Sequence, residues 1–172
     1  MLLRDLARQS DGRVEIIIRG RPALDQIEDF HEIVASTPGL KFLGGYDNPK
    51  DLAAIYGGVD FVWAIDLYEE GLNSTWLLPN RLYEGCHYGV VPLALSGVET
   101  SRTLQRLKIG VSLPQPLGGE LAAYFSKLTP ELFATLKRDV IKVPQSTWIY
   151  TQVDCANLTA WFRSFVPCQG NS

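Results

Sequence analysis

A helical segment that follows Pro79 carries the residues best suited to bind a charged ligand. Free N–H groups at the start of a helix attract anions, and Arg81 adds a full positive charge to the turn formed by Asn80, Arg81 and Leu82. Glu84 follows Asn80 by four positions, which places its carboxylate about 6 Å further along the same helix face. That spacing matches the separation between a diphosphate and the hydroxyls of its ribose. The segment therefore predicts a nucleotide site, with the diphosphate over the first turn and the ribose on Glu84.

The elements that must position this segment alternate between apolar strands and helices. Pro79 suits the first helical position, where no N–H is needed, and Gly89 supplies the left-handed residue that ends the helix. Apolar, β-branched runs recur at 14–18, 40–43, 59–65, 90–95 and 109–113. Helices are predicted between them, from Pro22 to Ala35 and from Asn48 to Tyr56, with Asn48 as the cap of the second. This order predicts an α/β fold built on a Rossmann-like, doubly wound parallel sheet.

Beyond Pro116 the alternation stops. Further helices are predicted at 118–127, at 130–141 after a cap formed by Thr129 and Pro130, and at 147–165. The first of all the predicted elements is a helix over residues 1–9, whereas a doubly wound domain normally opens with a strand. We therefore expect residues 1–166 to form a single α/β domain that is a fragment of a longer protein, followed by a frayed tail at 167–172.

The composition narrows the class of protein. The 172 residues are 46% apolar and 20% charged, which suits a globular domain with a packed core. The net charge of −3 is spread evenly along the chain, which argues against a broad nucleic-acid surface, so no nucleic-acid partner is expected. The N-terminus has no signal-peptide core and no run is long enough to span a membrane, so a cytoplasmic location is expected.

The cysteines predict neither a disulfide framework nor a zinc site. Cys86, Cys155 and Cys168 are odd in number and lack the spacing of metal ligands. We expect reduced thiols with structural roles.

The order of these motifs resembles the C-terminal half of GT-B glycosyltransferases. The resemblance rests on Arg19–Pro22 after the first strand, Phe42–Asn48 after the second, the helix from Pro79 to Glu84, and the strand entered through Gly89–Pro92. It covers residues 14 to 165 and is nearest to family-4-type enzymes of bacterial surface and exopolysaccharide synthesis. In such enzymes the C-terminal half binds the nucleotide-sugar donor, and an N-terminal half binds the saccharide or lipid-linked acceptor.

The resemblance implies roles for particular residues. Glu84 matches the glutamate that holds the ribose, and Asn80, Arg81 and Leu82 match the helix start that binds the diphosphate. Further positions belong to the donor pocket. They are Gly44, Gly45 and Tyr46 in the loop beside the base, and Ser74 and Thr75 near the sugar.

Trp76 stands where many family members have a second glutamate, so the residue that contacts the sugar is unassigned. The resemblance implies a retaining enzyme. Since a helix start plus Arg81 can stabilise a departing diphosphate, neither a metal nor another cofactor is expected. The catalytic residues are unknown, because the base would come from the absent acceptor half. Peripheral membrane association is expected only through that half.

Simpler interpretations stand beside these. Glu84 could form a helix-face ion pair with Arg81, and Asn80 could serve only as a helix cap. His87 is expected to be structural rather than an acid/base partner of Glu84. The acidic loop at 66–71 fits either a solvated loop or a contact to the donor sugar or a cation.

Three functions therefore remain open. The first is the donor-binding half of a glycosyltransferase, inactive without its acceptor half. The second is a non-catalytic nucleotide-binding module, and the third is a sugar-nucleotide epimerase or hydrolase on the same frame.

Overall fold

The structure is a computed structural model that describes residues 2–67 and 73–165. The predicted tail at 167–172 lies outside these residues. The strands within them are β1 (Ile16–Ile18), β2 (Leu40–Phe42), β3 (Phe61–Trp63), β4 (Val91–Leu95) and β5 (Val111–Leu113). Each lies inside an apolar run identified from the sequence, so the predicted strands are confirmed with shorter bounds.

All the strand pairs are parallel, which confirms the α/β prediction, but the strands form two sheets. β1 pairs with β2, starting from Ile16 opposite Leu40. β4 lies between β3 and β5 in the second sheet. β4 tolerates Pro92 because its ladder with β5 begins one residue later, at Leu93. The ladder therefore needs no N–H donor at Pro92.

Helices precede, connect and follow these strands. They are α1 (Leu2–Gln9), α2 (Phe30–Ala35), α3 (Leu52–Gly57), α4 (Asn80–His87), α5 (Glu99–Leu107), α6 (Leu117–Lys127), α7 (Pro130–Lys142) and α8 (Gln152–Ser164). α1 and α6 follow the predicted bounds closely. α7 also does so, and the Thr129 hydroxyl caps it by accepting a hydrogen bond from the Leu132 N–H at 3.2 Å.

Two of the predicted helix starts are wrong. Residues 23–29, which follow Pro22, are exposed, so no apolar face stabilises a helix before the buried Phe30. Asn48 does not cap α3, because its side chain is used elsewhere and the helix begins only at Leu52.

A third start, predicted at 147, is also wrong, because residues Gln145–Thr147 form a separate short turn that ends at Trp148, whose side chain is buried in the core with 6% of its surface exposed. α8 begins after Thr151, which forms a capping box with Asp154. Further along α8, Trp161 and Phe162 are more than half exposed. Of the aromatic residues predicted for this helix, only Trp148 is buried.

Pro79 precedes the first residue of α4, whereas the sequence predicted it as that first residue. Its backbone is extended, with φ −71° and ψ 144°, so it is the N-cap of α4 rather than its first helical residue.

The core is arranged on two faces of the second sheet. On one face, α4, α5 and α7 bury a cluster that includes Leu82, Leu104 and Val140. On the other, α1 and α6 bury Leu6 and Leu121. Among residues 2–67 and 73–165, no helix is both long enough and apolar enough to cross a membrane.

α4 lies unusually close to β3, and Gly85 makes this possible. A Cβ atom added at Gly85 would lie 2.6 Å from Cγ1 and 2.9 Å from Cβ of Val62. Real side chains do not approach so closely, so only glycine allows this helix–strand distance.

We expect Gly85→Ala to lower the free energy of unfolding by about 1–3 kcal/mol, because the added methyl group overpacks the contact with Val62. Urea unfolding followed by circular dichroism measures this. The control is Gly119→Ala in α6, where an added Cβ meets no atom within 4 Å and should stabilise the helix by about 0.5–1 kcal/mol. Equal effects of the two substitutions would contradict the packing account.

Candidate functional site

The ends of α4 are set by local signals in its sequence. After the helix, Gly89 has a φ of +75°, which favours glycine. Its N–H donates to the Cys86 carbonyl at 3.0 Å, and the Val90 N–H donates to the Gly85 carbonyl at 2.9 Å. This pair of bonds is a Schellman motif, and it delivers the chain directly into β4.

The same helix turns its remaining face toward a cleft. Leu82, Gly85 and Cys86 are buried against the sheet. Glu84 follows Asn80 by four positions and Arg81 by three, so it shares the other face with both of them. Packing of the apolar face against β3 therefore fixes where the polar face points.

Glu84 is held by two donors from distant parts of the chain. The Tyr56 hydroxyl donates to one carboxylate oxygen at 2.8 Å, and the Asn48 side-chain amide donates to the other at 3.1 Å. Arg81 donates instead to the carbonyl of Ile65 at 2.9 Å. In the part of the chain that the structure describes, Glu84 is thus bound by a phenol and an amide, and the ion pair with Arg81 is not formed.

The surroundings of Tyr56 keep its hydroxyl protonated, so that it can donate to Glu84. Burial raises the pKa of Tyr56, and the hydrogen bond to the neighbouring Glu84 carboxylate raises it further. The ring also stacks on Tyr88, with centroids 5.8 Å apart. The hydroxyl donates a hydrogen bond to Glu84, and the raised pKa means that it keeps its proton at alkaline pH as well as at neutral pH.

The cleft beside Glu84 has a volume of about 960 Å³. At one end it is lined by residues that follow strands or begin α4. They are Arg19, Tyr46, Asn48, Asn80, Arg81 and Glu84. Ligands of open α/β sheets bind outside the carboxyl ends of the strands, so this end of the cleft is the candidate site.

Several residues predicted for the site lie elsewhere or use their groups differently. The Leu82 side chain is fully buried, and its N–H donates to the Pro79 carbonyl at 2.9 Å. Ser74 and Thr75 lie in the short turn Asn73–Thr75, which precedes α4, and Ser74 is buried. Neither is among the described residues that line the cleft. Of the first-turn residues, Asn80 and Arg81 thus remain available to a ligand.

The loop after β2 is open toward solvent. Gly44 has a φ of +71°, and its carbonyl accepts a hydrogen bond from the Gly20 N–H at 2.8 Å. An added Cβ at Gly44 or Gly45 would meet no atom within 4 Å. Tyr46, which follows them, is 41% exposed and lines the cleft.

Sequence reasoning missed three residues of the site. Asn48 was interpreted as a helix cap, Tyr56 as the end of a helix, and Arg19 only as part of a motif. Arg19 donates to the Leu43 carbonyl at 3.0 Å, while its buried Nε atom has no partner among the described residues. These contacts join positions far apart in the chain, and no local pattern predicts them.

His87 has a structural partner, as expected. Its Nδ1 atom lies 2.6 Å from Oε1 of Gln145, and its ring packs edge-on against Tyr88. Of the acidic loop at 66–71, residues 68–71 lie outside those that the structure describes.

The two described cysteines are free but differ in their surroundings. Cys86 is buried, and burial raises the pKa of its thiol to about 12. Cys155 is exposed on α8. The thiolate is the form that reacts with alkylating agents. Cys86 is protected from them because it is buried and because its raised pKa keeps the thiol protonated.

We expect a double-mutant cycle to detect the bond between Tyr56 and Glu84. Tyr56→Phe and Glu84→Ala should couple by about 1–2 kcal/mol in urea unfolding, because a hydrogen bond to a charged group is lost only once. Tyr88→Phe is the control, since its ring neighbours Tyr56 without a side-chain bond to Glu84. Additivity of Tyr56→Phe with Glu84→Ala would refute the bond.

We expect iodoacetamide to alkylate Cys86 at least about a hundredfold more slowly than Cys155 in the native chain at pH 8. Mass spectrometry of peptides after timed quenching gives both rates in one sample. In urea the two rates should converge. Comparable rates in the native chain would show that α4 opens readily.

Comparison with known proteins gives one informative similarity. The chain is 45% identical over 157 residues to succinoglycan biosynthesis protein ExoL of Rhizobium meliloti (strain 1021). The match covers 91% of this chain and 39% of that protein, so the chain spans about two fifths of its relative's length. No protein-family model matches the chain.

Proposed function

We propose that this chain is the donor-binding half of a glycosyltransferase that takes its sugar from a nucleotide-sugar. The observation that carries the proposal is the Glu84 carboxylate, held by Tyr56 and Asn48 at the mouth of the cleft, one turn beyond Asn80. The similarity to a succinoglycan biosynthesis protein supports a role in bacterial polysaccharide synthesis.

Glu84 retains the capacity to bind a ribose. An ionised carboxylate has about four acceptor sites, and two donors occupy Glu84 here. The remaining sites suit two adjacent hydroxyl groups. Tyr56 and Asn48 orient the carboxylate, so they are positioning residues for the ribose.

The first turn of α4 supplies positive potential for the diphosphate. Asn80 and Arg81 are exposed at the helix start, where the helix dipole favours an anion. Arg81 has five N–H donors, and its bond to the Ile65 carbonyl uses one of them. Arg19 is a further cation in the lining of the cleft, and Tyr46 offers an exposed ring beside the position proposed for the base.

In transfer, the bond between the anomeric carbon and the diphosphate oxygen breaks, and its electron pair stays on the diphosphate. The helix start and Arg81 would stabilise that charge without a metal. The acceptor hydroxyl, which forms the new bond, and the base that takes its proton would come with the acceptor half. The chain alone would therefore bind the donor but not transfer its sugar.

Titration calorimetry with UDP, GDP and ADP tests the proposal. We expect at least one of them to bind, and Glu84→Ala to weaken that binding at least about tenfold, or 1.4 kcal/mol. Asp139→Ala is the matched control, because it also removes one carboxylate from a helix but lies on α7, away from the cleft.

The outcomes separate the possible functions. Equal loss in both variants, or no loss in Glu84→Ala, would reject the site. Binding to the chain, with no transfer after it is joined to an acceptor half, would favour a non-catalytic module instead.

A further inference from the structure

Trp76 is the most exposed of the four tryptophans in the chain. It is 61% exposed, against 55% for Trp161, whereas Trp63 is half-buried and Trp148 is buried. In the part of the chain that the structure describes, the indole N–H of Trp76 has no hydrogen-bond partner and its ring has no aromatic neighbour. Tryptophan is highly buried on average in folded proteins, so a free ring at this position indicates a surface that a ligand or partner covers.

The backbone that carries this ring is held in place. The N–H groups of Trp76 and Leu77 both donate to the Asn73 carbonyl, at 3.2 and 2.9 Å. Ser74, on one side of Trp76, is buried, and Leu78, on the other side, packs against the core cluster under α4, α5 and α7. The turn is therefore fixed before a ligand arrives, so binding against the ring costs little ordering of the backbone.

The order of the proposed subsites along α4 leads toward Trp76. The ribose lies at Glu84, and the diphosphate lies one turn earlier, at Asn80 and Arg81. A sugar on the outer phosphate then extends past the helix start, toward the residues that precede Pro79. Trp76 precedes Pro79 by three positions, so their Cα atoms are at most about 10 Å apart even along a fully extended chain. Trp76 is not among the described residues that line the cleft, which fits a contact to the part of the donor that extends out of it.

A tryptophan ring suits the face of a pyranose sugar. Where the hydroxyl groups of the sugar are equatorial, its ring C–H groups form an apolar surface on the face. The face of an aromatic ring is electrically negative and attracts C–H groups, which carry a partial positive charge. The hydroxyl groups at the edge of the sugar stay free to form hydrogen bonds with other groups.

We propose that Trp76 binds the donor sugar by stacking on a C–H face of its pyranose ring, an inference that rests on the nucleotide-sugar site proposed above. Trp76 is then a specificity-determining residue. It favours sugars with an uninterrupted apolar face and disfavours those that carry an axial hydroxyl on that face. It contributes to binding of the sugar and not to binding of the nucleotide.

A protein surface is a poorer occupant of this ring. Leu77 is also exposed, but the other exposed residues near Trp76 in the sequence include Asn73, Thr75 and Asn80, which are polar. An aromatic ring with a few amide and hydroxyl groups around it is typical of small-molecule sites. The surroundings therefore favour a sugar, whose hydroxyl groups can use such neighbours.

The test measures what the sugar adds to binding. Titration calorimetry compares UDP with UDP-glucose, GDP with GDP-mannose and ADP with ADP-glucose, and the ratio of the two Kd values in a pair gives the contribution of the sugar. For the pair that binds, we expect Trp76→Ala to lower this ratio about three- to tenfold, the size of a lost aromatic contact, and to leave the Kd of the nucleoside diphosphate unchanged. Trp76→Phe keeps a ring and should retain most of the ratio. Trp161→Ala is the matched control, because it removes a similarly exposed tryptophan from α8 and should change neither Kd.

The outcomes separate this inference from the proposed function. An unchanged ratio in Trp76→Ala would overturn the stacking, as would a ratio of one in the wild-type chain. Equal weakening of the nucleoside diphosphate and its sugar would also overturn it, since that result indicates a structural role for Trp76. If none of the three nucleotides bound, the proposed function would be rejected, and this inference with it.

NMR of the indole N–H groups gives a second readout in the wild-type chain. The Trp76 resonance is identified by its absence from the spectrum of Trp76→Phe. It should shift when the nucleotide-sugar replaces the nucleoside diphosphate at saturation, while the Trp161 resonance stays in place. A Trp76 resonance that does not move would overturn the proposal. One that shifts with the concentration of the chain alone would identify a protein contact as the occupant instead.

Discussion

The contact between Gly85 and Val62 determines how the rest of the site is built. Because Gly85 has no side chain, α4 lies directly against the Val62 side chain of β3 and buries Leu82 and Cys86. Helical geometry then fixes the positions of the polar groups. The polar face is rotated toward the cleft, and the helix start lies beside the end of β3, close enough for Arg81 to bond the Ile65 carbonyl. A larger residue at position 85 would move all of these groups together.

In the candidate site, Glu84 and Arg81 lie on the same face of α4, but each is hydrogen-bonded to a neutral group rather than to the other. Glu84 accepts hydrogen bonds from neutral donors, and Arg81 donates to a neutral carbonyl. A direct ion pair would have consumed the acceptor sites of Glu84 and donors of Arg81. The neutral partners fix both side chains while leaving their charges available to a ligand, which is how a binding site avoids reorganisation when it is filled. Tyr56 is a neutral donor at pH 7, and burial raises its pKa so that it stays neutral at alkaline pH as well.

The sequence predicted those features of the structure that depend on a few neighbouring residues. The glycine end of α4 and the capped start of α7 depend on a few adjacent residues, and both were found from the sequence. Long-range contacts were not. Asn48 and Tyr56 meet Glu84 across 36 and 28 positions, so only the tertiary structure brings them together. The late start of α2 has the same origin, because burial of Phe30, rather than helix propensity, decides where this segment becomes helical.

The site and the division of the sheet are physically connected. Asn48 follows β2, in the first sheet, whereas α4 packs on β3, in the second. The bond from Asn48 to Glu84 therefore bridges the two sheets at their carboxyl ends. Along the cleft itself no described ladder joins β1 to β3, so the separation of the sheets is set by the helices that cover them. Any interaction that fixes the distance between β1 and β3 would also fix the distance from Asn48 to Glu84, and with it the shape of the pocket at the mouth of the cleft.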